Sequence, residues 1–153
     1  MGKISMGLLC LTSLMSCMDS PIINKYVSVD SKGWLSTDTV NIEIPPLKST
    51  ADANISLRVR TTKDYPYKDL HMRVTIKSNG KELSTTDTKI NIYDENGETT
   101  GKGFPYAENG STAPILMKLE TDCNYTVCIT HLMETVNLCG ISDVGINVDK
   151  VCK

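Results

Sequence analysis

The chain has 153 residues, 16 basic against 18 acidic side chains and a formal net charge of −2, which is enough material for one core and a strain for two. It carries no basic stripe, which argues against nucleic acid as a partner and leaves anionic headgroups nothing to attract. One Trp, one Phe and six Tyr also make it poor in the rings on which sugar-binding surfaces are built.

Residues 1–16 read MGKISMGLLCLTSLMS: an early cation, Lys3, then an uncharged apolar run from Ile4 to Met15. That is the layout of an export signal. A permanent span needs about 20 apolar residues, and this run is shorter and is followed by Asp19, Pro21 and Asn24. Its end, Leu14-Met15-Ser16-Cys17, resembles the lipobox of bacterial lipoproteins, in which a small residue precedes the thiol that a diacylglycerol alkylates. Cleavage before Cys17 leaves 137 residues (17–153) with 15 basic and 18 acidic side chains. Two or three acyl chains would anchor such a domain stably, since each buried methylene contributes about 0.8 kcal/mol. The expected organisation is a signal peptide over 1–16, a lipidated tether over 17–25 and one domain over 26–153.

Beyond the tether, apolar side chains alternate with polar ones. Val40, Ile42 and Ile44 come first, then Ile55, Leu57 and Val59, then Leu70, Met72, Val74 and Ile76. Ile90 and Ile92 follow, then Ile115, Met117 and Leu119, then Tyr125, Val127 and Ile129, and finally Ile146 and Val148. This period of two is that of half-buried strands. Turn chemistry separates them at Pro45-Pro46, Ser78-Asn79-Gly80, Asp94-Glu95-Asn96-Gly97, Gly101-Lys102-Gly103 and Glu108-Asn109-Gly110. Seven to nine such strands predict an all-β fold, an antiparallel β-sandwich of jelly-roll or immunoglobulin-like type. At most one short helix fits, over His131 to Asn137.

Six cysteines are present. Cys10 leaves with the signal and Cys17 takes the lipid, so Cys123, Cys128, Cys139 and Cys152 remain as candidates for one or two disulfides, as expected of an exported protein. Their spacing lacks the short paired knuckle of a zinc site. Only His71 and His131 offer a base near neutral pH; His71 alternates with the apolar residues of its strand and points outward, and His131 falls at the rim of the core. The Asp94–Glu98 segment has oxygen ligands at alternate positions but lacks the distal glutamate of a calcium loop, and reads as a plain turn. With no catalytic motif present, the chain is expected to be neither an enzyme nor a carrier of any cofactor. Trp34 suits a lid over one end of the core better than a sugar platform. Tyr65, Tyr67 and Tyr106 lie in loops and, with Trp34, form the candidate binding surface.

Lys32-Gly33-Trp34, the segment Asp64-Tyr65-Pro66-Tyr67-Lys68-Asp69-Leu70, Gly101-Lys102-Gly103-Phe104 and the run from Leu138-Cys139-Gly140 to Ile146 resemble, in order and spacing, the gliding-motility lipoprotein GldH family over nearly the whole mature chain. The resemblance implies a lipid-anchored envelope protein at the outer membrane, with a β-sandwich domain and no known catalytic residues; the periplasmic face is expected in preference to the cell surface. Its expected role is accessory binding or assembly beside other envelope proteins in gliding and associated secretion machinery; a glycan- or ligand-binding module is the alternative. Asp38-Thr39-Val40 also resembles the site at which some bacteria with this family attach O-glycans.

Overall fold

The computed structural model describes residues 21–111 and 113–151, and within them eleven strands and no helix. One antiparallel sheet has β1 (Ile23–Ser28) at its edge, then β11 (Ile141–Lys150), then β4 (Ala51–Thr61). The free side of β4 is shared by β7 (Ala107–Gly110), along Arg58 to Thr61, and β8 (Ile115–Leu119), along Ala51 to Ile55. The second sheet runs β3 (Val40–Ile44), β9 (Tyr125–His131), β5 (Asp69–Ser78), β6 (Lys81–Asn91), again antiparallel. A short ribbon of β2 (Trp34–Leu35) and β10 (Asn137–Leu138) stands apart from both.

The alternation read in the sequence sets the inner faces. Ala53, Ile55, Leu57 and Val59 of β4, with Val144, Ile146 and Val148 of β11, are buried from one side. From the other come Ile42 and Ile44 of β3, Leu70, Met72, Val74 and Ile76 of β5, and Val127 and Ile129 of β9. All belong to one core, the arrangement of a β-sandwich. The hairpin from β5 to β6 turns on Asn79 and Gly80, with φ of 47° and 81°. Two successive left-handed residues are what a two-residue hairpin of matching twist requires, and Asn-Gly is the pair that tolerates them.

Two local expectations are corrected, and the one segment with room for a helix is settled. Residues 131–137 form none, because their backbone groups pair elsewhere: Leu132 N donates to His71 O at 2.8 Å, and Ser36 N donates to Val136 O at 2.8 Å. The expected tether ends earlier than Lys25, since β1 pairs with β11 from Ile23 onward. Glu108-Asn109-Gly110 is strand, not turn, and Asn109 is buried in it.

The registers also orient the molecule. β1 enters beside Val148 and leaves beside Asp143, so the chain comes in at the end that holds the Asn79-Gly80 hairpin, and β11 returns to that same end. At the opposite, distal end lie the loops over 29–39, 62–68, 92–106 and 132–140. Every segment that carries the family resemblance reaches this distal end.

Candidate functional site

Trp34 roots the distal end. Its ring is 1% exposed, its Nε1 donates to Asp38 O at 3.0 Å, and it meets the ring of His131 edge to face at 5.2 Å. His131 is equally closed in; its Nε2 lies 3.1 Å from Trp34 O, while its Nδ1 is buried with no hydrogen-bond partner. That geometry makes Nε2–H the donor and keeps the ring neutral. Burial pushes the His131 pKa below the usual histidine range, against the smaller opposing pull of the Trp34 carbonyl. Neighbouring Gly33, at φ +120°, lies so close to the Asn137 side chain that a Cβ would sit 2.2 Å from Oδ1. Asn137 Nδ2 in turn donates to Lys32 O at 2.7 Å and closes the loop.

The tyrosines divide. Tyr65 is 2% exposed, its hydroxyl donates to Asp69 O at 2.8 Å and its carbonyl accepts from the Tyr93 hydroxyl at 3.2 Å. Burial, then the nearby Tyr67, Asp69 and Tyr93, push its pKa up. Gly140, at φ +85°, packs directly on it. Tyr67 meets the Tyr65 ring edge to face at 5.9 Å but keeps an outer surface, and Tyr106 is also exposed. The expected four-ring surface is therefore corrected: Trp34 and Tyr65 are framework, and Tyr67 and Tyr106 remain on the surface. Phe104, two residues before Tyr106 and not singled out beyond the resemblance, projects at 91% exposure.

The Phe104 loop is held by a residue that sequence reading placed in a turn. The buried amide of Asn109 donates to Thr61 Oγ1 at 3.3 Å and to Ala107 O at 3.2 Å, and its oxygen accepts from Thr100 Oγ1 at 3.0 Å. Gly101 lies close enough that a Cβ would come within 2.7 Å of Asn109 Oδ1, so the loop can lie flat on this network. Below it, an apolar hollow forms between Phe104 and Pro105 on one side and Thr61, Thr62 and Tyr93 on the other.

Cys17 and Cys152, and the signal over 1–16, lie outside the described residues. Cys123, Cys128 and Cys139 are free thiols, so the bridges expected among them are not made. They stand on separate surfaces: Cys123 packs against the core, Cys128 faces outward between Asn41 and Thr75 in mid-sheet, and Cys139 is exposed in the distal turn. His71 is exposed on the outer face of β5, as the alternation predicts. The Asp94 carboxylate accepts from the amides of Asn96 and Glu98 at 2.8 and 2.9 Å, which makes the segment a side-chain-capped turn. Thr39 is exposed at the foot of β3.

The class is a two-sheet antiparallel β-sandwich whose longer loops gather at one end. The chain belongs to the GldH lipoprotein family, whose profile it matches over residues 21–148. It is similar to the gliding motility lipoprotein GldH homolog of Christiangramia forsetii, at 28% identity over 88% of this chain and 87% of that protein. It is also similar to the gliding motility lipoprotein GldH of Flavobacterium johnsoniae, at 27% identity over 64% of this chain and 62% of that one. Membership in a lipoprotein family carries lipid anchoring at the cell envelope with it. Among solved structures, a CocE/NonD family hydrolase from Staphylococcus aureus shows a TM-score of 0.45 at 14% identity, over 84% of this chain and 33% of the hydrolase. A likeness at that level carries no argument.

Proposed function

We propose that this protein is a non-catalytic lipoprotein held at the periplasmic face of the outer membrane by acyl chains on Cys17. In this reading its distal end docks on a protein partner within an assembly of the gliding-motility or associated secretion type. The relatives' names supply the assembly. The support for a docking role is the distribution of apolar surface: of eight exposed large hydrophobic side chains among the described residues, six (Leu35, Tyr67, Phe104, Tyr106, Leu132 and Val136) lie at the end remote from where the chain enters β1. Exposed apolar side chains gathered in one region mark interaction sites, whereas single scattered ones are ordinary.

The test places a photo-reactive residue at Phe104, at Val136 or, as a control on the flank, at Leu116 in the full-length lipoprotein, with intact-mass analysis of wild type and Cys17→Ala. Acylation lost in Cys17→Ala, with one defined protein adduct formed from Phe104 and Val136 but not from Leu116, is the expected result. Adducts from Leu116 alone, or an unacylated wild-type protein, would overturn the reading.

A further inference from the structure

Beside the aromatic tips, a second and chemically different feature opens at the distal end. A cleft of about 520 Å³ lies between Ser28 and Ser31, the Thr62 and Asp64 pair and the run Cys139 to Asp143, with Tyr106 on its wall. That volume is within the range of about 300–1,000 Å³ usual for ligand sites. We infer that this cleft binds a neutral glycan, with Tyr106 as the stacking face and Asp64 and Asp143 as acceptors for sugar hydroxyls. The inference is independent of the lipid anchor and shares only Tyr106 with the protein contact proposed above.

Three observations carry it. First, the lining is rich in hydroxyls and carboxylates and holds no lysine or arginine, so it suits a polyhydroxylated, uncharged ligand and repels phosphates and uronic acids. Second, one acceptor, Asp143, is set in place before any ligand arrives. Asp143 receives the Ser28 hydroxyl on Oδ1 at 2.8 Å and lies 3.0 Å through Oδ2 from Ser142 Oγ, which fixes the carboxylate yet leaves each oxygen a further lone pair. Thr62 Oγ1 accepts from the Asp64 amide at 3.2 Å, which leaves its own proton free to donate. Third, Tyr106 is 45% exposed and offers a ring, the apolar half of the surface a pyranose presents.

Cys139 lines the cleft and is exposed, so its alkylation rate reports occupancy. The full-length lipoprotein in detergent is titrated with cello-, manno- and N-acetylglucosamine oligosaccharides, with polygalacturonate as the anionic control, while Cys139 carbamidomethylation is followed by mass spectrometry and binding by calorimetry. Saturable protection by at least one neutral oligomer is expected, weakened about tenfold or more, the effect of one lost contact of about 1.4 kcal/mol, in Tyr106→Ala and in Asp64→Asn. The melting temperature of Asp64→Asn should match wild type. No protection by any neutral probe, protection only by polygalacturonate, or protection indifferent to both substitutions would overturn the inference. Loss of the Phe104 cross-link with glycan binding intact would instead count against the protein-docking reading alone.

Discussion

Trp34→Ala separates a framework ring from a recognition ring. A tryptophan buries about 150–250 Å², and at about 25 cal/mol per Å² of apolar surface its removal forfeits roughly 4–6 kcal/mol, close to the 3–5 kcal/mol typical of truncating a buried aromatic. The lost Nε1 hydrogen bond to Asp38 and the edge contact with His131 each add on the order of 1 kcal/mol. Set against a domain stability of about 5–15 kcal/mol, the substitution should remove a third of the stability or all of it. Trp34→Phe keeps a ring, gives up the hydrogen bond and some area, and should cost about 1–3 kcal/mol. Urea unfolding followed by far-ultraviolet circular dichroism measures both; wild type can also be followed by fluorescence, because Trp34 is the only tryptophan. A Trp34→Ala midpoint within the error of wild type would refute the packing argument and return the ring to the surface.

His131 makes the fold sensitive to acid. Its folded-state pKa is depressed by burial, so the unfolded chain takes up a proton first as pH falls through about 6.5. The stability that rests on neutral His131 is therefore full above that pH and declines below it, by about 1.4 kcal/mol per pH unit, until the folded pKa is reached; urea midpoints between pH 8 and 5 should show the fall in wild type and a flatter line in His131→Gln. Gly140→Ala puts a Cβ 2.4 Å from the Tyr65 backbone at φ +85°, whereas Gly97→Ala, at φ +80°, meets nothing within 4 Å. Both bear left-handed strain of about 1–2 kcal/mol, so thermal melts should place Gly140→Ala well below Gly97→Ala, and equal melts would show that the turn moves aside. Alkylation of the native protein followed by peptide mapping should modify Cys139 well before Cys128, which is 9% exposed; equal rates would mean that the outer face of the second sheet is open.

Strands were legible where both their faces obey the alternation. β3, β5 and β8 follow the period of two, because each buries one side and wets the other, and β9 follows it in its apolar side chains although its outer face is partly closed. β6 was readable only at Ile90, since the positions opposite Val74 and Met72 are Thr86 and Thr88: an edge strand can be held by hydrogen bonds to its hairpin partner with little apolar surface of its own. β1 was hidden for a similar reason, its pairing with β11 being specified by a partner more than a hundred residues away. Asn109 was misplaced because Asn-Gly is a local turn signal, and a buried network with Thr61 and Thr100 overrides it. At the distal end, the segments that matter could be named from resemblance, but not which of their rings face inward. Tyr65 and Tyr67 are two residues apart in a loop, outside any regular period, and only the contact with Gly140 and the bond to Asp69 decide that the first is core.

The short approach to β1 limits what the distal end can reach. With lipid on Cys17, only the five residues 18–22 separate the anchor from Ile23, where β1 begins, and five residues extend at most about 18 Å. β4 has 11 residues, which at about 3.3 Å each span roughly 36 Å, so the tips that carry Phe104 and Tyr106 stand about that far beyond the point where the chain enters the fold. An interfacial side chain inserts only about 5–10 Å into a bilayer. If the domain stands upright on such a lead, its aromatic tips lie beyond the reach of the leaflet that would hold its own acyl chains, which leaves them to a partner opposite rather than to lipid.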